Sequence, residues 1–139
     1  MIPYLSGALL ALTGGAFSFY FHGVYSGKLS AGEWWIPTFC RMDAESCTSI
    51  VDTPFGRLFG QPNSFYGLWF FPVYFLTLLF TAHGHVDPLI PLALALITVL
   101  AGMYLTYGLF RLRVVCPVCL SVHSVNLLNF MIQLWAYTS

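Results

Sequence analysis

Four stretches of this 139-residue chain carry no Asp, Glu, Lys or Arg: residues 1–27, 58–86, 88–110 and 114–139. About 20 consecutive apolar residues are enough to cross a bilayer's hydrocarbon core as a helix, and each stretch exceeds that length. Hydrocarbon offers no partner to backbone amides and carbonyls, so a spanning segment satisfies them internally, as a helix or in a closed barrel. A barrel would show short strands of alternating polarity, and none are visible. The sequence therefore predicts an all-α fold, an integral membrane four-helix bundle with helices near residues 3–25, 64–82, 88–110 and 117–137.

Composition supports the lipid-facing exterior. Only 7% of residues are charged, against about 25% in a soluble domain. So few charges cannot coat a water-facing surface. The net charge is zero, which gives no electrostatic reason to expect nucleic acid as a partner. No repeat or low-complexity tract divides the chain, so residues 1–139 read as a single membrane domain. The start, Met1-Ile2-Pro3-Tyr4, lacks the basic segment of a signal peptide, and the first apolar run is too long for one. It is expected to be a retained helix.

The connections decide where the chemistry sits. A long loop between helices 1 and 2, residues 26–63, holds seven of the ten charges. The second connection, near residues 83–87, is tight, and the third, near 111–115, is short. An even number of spans places both termini on one face and the first and third connections on the other. Cys40 and Cys47 lie in the long loop, and Cys116 and Cys119 open the fourth helix. All four cysteines are thus expected at one membrane face.

Cys116-Pro117-Val118-Cys119 is a C-x-x-C at a helix N-terminus. The spacing brings two sulfurs within reach across one turn; Cys116, at the helix start, is expected to be the more exposed of the two, with its thiolate favoured by the helix dipole. Pro117 suits a first helical turn. Cys40 and Cys47 flank a polar hexapeptide, with Trp34-Trp35 upstream as an anchor at headgroup level. An exposed pair on a loop beside a pair at the membrane edge suggests a relay by thiol–disulfide exchange. Two other readings stay open on these residues alone: a structural disulfide holding the loop and a four-cysteine zinc site.

The ensemble resembles the vitamin K epoxide reductase family. The matching pieces are the long first loop with its cysteine pair, Gly56-Arg57, Gln61-Pro62-Asn63-Ser64, Gly67, and Cys116-Pro117-Val118-Cys119, over about residues 12–133. The resemblance implies a quinone-dependent thiol–disulfide oxidoreductase that generates disulfides, with no metal. It implies that Cys40 and Cys47 meet a thioredoxin-like partner, that Cys116 exchanges with Cys47, and that Cys119 faces the quinone. Asn63 matches the family's amide to a quinone carbonyl, and Thr53 sits where the family often has a serine or threonine lining the site. The quinone is expected to be of the ubiquinone, menaquinone or vitamin K type. Phe55 and Phe59 are candidate walls of its pocket. Vitamin K quinone or epoxide reduction by the same relay is the alternative activity, and a non-enzymatic scaffold with structural disulfides or zinc is the rival class.

One position departs from the animal members. They have a tyrosine four residues after the second C-x-x-C cysteine, and this chain has His123. Cys116, Cys119, His123 and Asn126 share one helical face. His123 in an apolar helix is costly unless functional, so it is expected to contact the quinone. Asn129, like Asn126, is read as an interhelical hydrogen-bonder. Asn63 and Ser64 could also cap the second helix. His22, His83 and His85 fall near span ends and read as solvated. Residues 48–59 are expected to form an amphipathic lid over the bundle mouth.

Two arguments on orientation disagree. Lys28, Arg41, Arg57, Arg111 and Arg113 all lie on the cysteine side, which the positive-inside rule places in the cytoplasm. Disulfide chemistry places the cysteines in an oxidising compartment. The redox argument is the stronger, giving the outer face of a prokaryotic cytoplasmic membrane, with the endoplasmic reticulum membrane as the alternative.

Overall fold

The structure is a computed structural model that describes residues 1–41, 49–57 and 60–139. Its four long helices coincide with the uncharged stretches: α1 (Ile2–Tyr25), α2 (Asn63–Ala82), α3 (Leu89–Leu112) and α4 (Pro117–Thr138). All are long and apolar enough to span a membrane. Among the described residues no strand occurs. The boundaries differ from the sequence expectation by one or two residues. The largest difference is at the end of α3, which continues through Arg111 and Leu112. The helix stops where Arg113 adopts the left-handed conformation, φ 55°. There the Val114 N–H donates to the Leu109 carbonyl at 3.0 Å, a terminus that occupies carbonyls otherwise left open.

Chain order is not packing order. α1 lies between α2 and α4, and α3 packs on α4. α2 and α3 are joined by a tight turn yet touch far less than the other neighbours, which leaves a seam between them. Small residues allow the close approaches. A Cβ at Gly14 would meet Phe71, and one at Gly67 would meet Ser18, so α1 and α2 approach more closely than larger residues permit. The outward faces are apolar, with Leu9, Val73, Leu100, Met103 and Leu127 all more than half exposed. Such a surface is stable only against lipid.

Two buried clusters divide the bundle. The one far from the cysteines joins Ala8, Ala11, Phe71, Tyr74, Leu78 and Ala95. Nearby, Asn129 donates to the Gly7 carbonyl at 3.1 Å and accepts from Gln133 at 3.2 Å. The interhelical role expected of Asn129 is thereby observed. The other cluster lies beneath the long loop. Ile50 and Val51, in the 3-10 turn Ile50–Asp52, pack with Tyr20, Phe21, Leu109 and Cys116. The predicted lid is therefore inserted into the bundle mouth rather than laid across it. Gly56 makes the tight return possible, because a Cβ there would overlap the Ile50 carbonyl. Arg57 braces the lid by donating to the Val51 carbonyl at 2.8 Å and to the Tyr25 hydroxyl at 2.7 Å.

Candidate functional site

The start of α4 places the first sulfur pair. Cys116 is its N-cap, in extended conformation, and Pro117 begins the helix. Two residues later the chain has turned enough to bring the Cα atoms of Cys116 and Cys119 to 5.2 Å, and the two are joined as a disulfide. Their environments differ. Cys116 is fully buried, covered by Ile50, Val51 and Ile36 of the loop together with Tyr20, Leu109 and Val118. The expectation that the first cysteine, at the helix start, is the more exposed of the two is corrected: the lid residues fill the space above it. Cys119 is half-buried and faces a cavity of about 370 Å³.

That cavity gathers four of the predicted site residues, Cys119, His123, Asn63 and Phe55. Cys119, His123 and Asn126 of α4 line one wall, Asn63, Ser64 and Gly67 of α2 another, and Phe55 of the lid a third. The lining is otherwise mostly apolar, including Phe17, Phe21, Phe70 and Leu105. Ile97 of α3 also lines the cavity and is 59% exposed, so the cavity reaches the lipid-facing surface beside the α2–α3 seam. Phe55 is held by Tyr104 and Tyr107, with ring centroids at 5.2 and 6.1 Å, and it lies over Gly108, where a Cβ would strike its ring.

The polar groups inside are few and specific. His123 Nδ1 is buried without a hydrogen-bond partner. Its ring lies against Gly102, where an added Cβ would come within 3.0 Å of Nδ1. An unmatched nitrogen inside an apolar wall is destabilising, and such an atom is available to a ligand. Asn63 donates from Nδ2 to the Phe55 carbonyl at 2.7 Å, which ties lid to helix.

Some expectations fell elsewhere. Neither Asn63 nor Ser64 caps α2, whose N-cap is Pro62 without a side-chain cap bond; Ser64 Oγ lies 3.2 Å from His22 Nδ1 instead. His22 is accordingly half-buried and partnered rather than solvated. Thr53 is not among the cavity-lining residues, and its hydroxyl donates to the Ile50 carbonyl at 2.7 Å, closing the 3-10 turn. Cys40 ends the turn Thr38–Cys40, which packs against α4. Trp34 is 87% exposed and Phe39 is 80% exposed, at the loop surface near Cys40. Cys47 and Phe59 lie outside the described residues.

A disulfide beside an apolar, lipid-reaching cavity that carries a free imidazole nitrogen and an amide suits a flat, hydrophobic two-electron acceptor with hydrogen-bond acceptors on its ring. Residues 6–134, nearly the whole chain, match the model of the Vitamin K epoxide reductase family. No curated protein matches the chain.

Proposed function

This chain belongs to the vitamin K epoxide reductase family, and from that premise we propose that it oxidises a thioredoxin-like protein and passes the electrons to a quinone. The observation that carries this reading is the position of Cys119. One sulfur of the α4 disulfide faces the cavity, while its partner Cys116 faces the loop that bears the other pair.

The reaction is dithiol plus quinone giving disulfide plus hydroquinone. The donor protein's thiolate attacks the Cys40–Cys47 disulfide, and the resulting loop dithiol reduces Cys116–Cys119 by exchange. Cys47 exchanges with Cys116, as the family resemblance implies; the lid that follows Cys47 in the chain has Ile50 and Val51 in one buried cluster with Cys116. The lid must part for this step, which makes the inserted Ile50 and Val51 a gate on it. Cys119, the thiol at the cavity, is the electron donor to the acceptor.

The residues present fit a quinone. Phe17, Phe21, Phe55 and Phe70 supply flat apolar walls, and the orphaned His123 Nδ1 and the Asn63 amide supply hydrogen bonds to ring oxygens. When bound, the quinone supplies a two-electron sink. Asn63 and His123 orient it, and the lid excludes water from it. An isoprenoid tail has an outlet beside Ile97 into the bilayer.

The cysteine face is the oxidising side of a prokaryotic cytoplasmic membrane in this reading. Five basic residues on that face oppose it, and the need for a disulfide-permitting compartment outweighs them. The test is reduction of a short-chain ubiquinone or menaquinone by the purified protein, with a reduced thioredoxin-like donor. Turnover that disappears in Cys119→Ser supports the reading; wild-type protein without turnover on either quinone refutes it.

A further inference from the structure

The cavity needs protons as well as electrons. Disulfide exchange runs through thiolates, so protons leave and rejoin the sulfurs by way of water at the membrane surface and do not travel with the electrons. The donor half-reaction is dithiol to disulfide, two protons and two electrons. The acceptor half-reaction takes quinone, two protons and two electrons to hydroquinone. Electrons arrive through Cys119, whereas protons must cross a lid of buried Ile50 and Val51.

One hydrogen-bonded pair links the cavity wall to the end of α1. Ser64 lines the cavity and is only 8% exposed. Its Oγ lies 3.2 Å from Nδ1 of His22. His22 is in the last turn of α1, four residues before exposed Ser26 and six before exposed Lys28. A hydroxyl donates and accepts through one atom, and a neutral imidazole accepts at one nitrogen while donating from the other. The pair can therefore take a proton from the aqueous face and release one at the cavity without moving the backbone. Asn63 and His123 are poorer carriers. Asn63 spends an N–H on the Phe55 carbonyl, and an amide does not exchange protons readily. His123 Nδ1, on the opposite wall, has no partner to relay through.

We propose that His22 and Ser64 form the proton entry of this site, with His22 accepting from water and Ser64 Oγ donating into the cavity. The inference rests on the quinone-reducing function proposed above and adds a role for two residues outside the cysteine relay.

Steady-state reduction of a short-chain ubiquinone by the purified full chain tests it. His22→Ala is expected to lower kcat by about 100-fold, the lower end of general acid–base effects, and added imidazole is expected to restore much of the loss. Ser64→Ala is expected to match it, and Ser64→Thr, which keeps the hydroxyl, to stay near wild type. In quinone-free protein, stoichiometric oxidation of the reduced donor should be unchanged in both alanine variants. Ring ¹⁵N spectra of that protein should report a hydrogen-bonded His22 Nδ1 that Ser64→Ala releases. Wild-type turnover with His22→Ala unimpaired overturns the relay alone. A deficit that imidazole does not rescue, and that extends equally to quinone-free donor oxidation, marks the pair as structural and overturns it too. A wild-type protein that fails to reduce quinone overturns the functional reading and the relay with it.

Discussion

Gly102→Ala separates the stability of the bundle from the placement of His123. A Cβ at Gly102 would sit 3.0 Å from His123 Nδ1 and 3.4 Å from Cγ. Comfortable non-bonded contact is about 3.5 Å or more, so the ring has to retreat by roughly 0.5 Å. No hydrogen bond holds Nδ1 in place, and the cavity on its other side gives the ring room to move. The displacement is therefore cheap for the fold. Alanine in a helix interior also gains about 0.5–1 kcal/mol over glycine, so Tm is expected to stay level or rise slightly. Binding is expected to suffer. Loss of a hydrogen bond from His123 to the quinone is worth about 0.5–1.5 kcal/mol, equivalent to roughly two- to tenfold in kcat/KM. The assay pairs quinone-reduction kinetics with thermal unfolding in the same detergent. A variant with unchanged kcat/KM for quinone and a raised Tm would show that His123 packs against α3 and does nothing to the substrate.

His123→Ala is expected to raise the quinone KM or lower kcat with both disulfides intact, and His123→Tyr to restore much of the activity; equal kinetics in all three proteins would leave the residue without a role in the reaction. Cys119→Ala is expected to accumulate a Cys47–Cys116 bridge by non-reducing peptide mapping, and a loop bridge to Cys119 formed as readily in Cys116→Ala would refute the order of exchange. Val51 is 1% exposed over Cys116, and Val51→Ala is expected to loosen lid docking by about 1–2 kcal/mol, giving roughly 5- to 30-fold faster alkylation of Cys116 after reduction; an unchanged rate would mean that the lid does not gate that thiol. In intact reduced cells a membrane-impermeant thiol reagent is expected to label Cys40, and labelling only after permeabilisation would place the cysteine face in the cytoplasm.

The number and limits of the helices were legible because a lipid solvent leaves the backbone almost no choice. Every uncharged run had to become a helix, and only fine details such as the left-handed stop at Arg113 depended on local geometry. The C-x-x-C was equally legible, because its spacing and Pro117 act within one turn. The shared face of Cys119, His123 and Asn126 followed from helical periodicity alone, and all three do line the cavity.

What surrounds that face belongs to the tertiary structure. The position of Cys116 at a helix start argued for exposure, yet the loop folds Ile50 and Val51 over it. That contact joins residues some 65 positions apart in the chain, and no local pattern encodes it. The same holds for His22, which a span-end position made look solvated until α2 brought Ser64 to its Nδ1. Thr53 followed its immediate neighbours and closed a turn on Ile50. The α2–α3 seam was hidden because consecutive helices joined by a tight turn are expected to pack together; here α1 takes α2 and α4 takes α3. The chain's own chemistry specified which groups could react. Packing between distant segments decided which sulfur faces the cavity, which lies beneath the lid, and that Ser64 at the cavity wall meets His22 of α1.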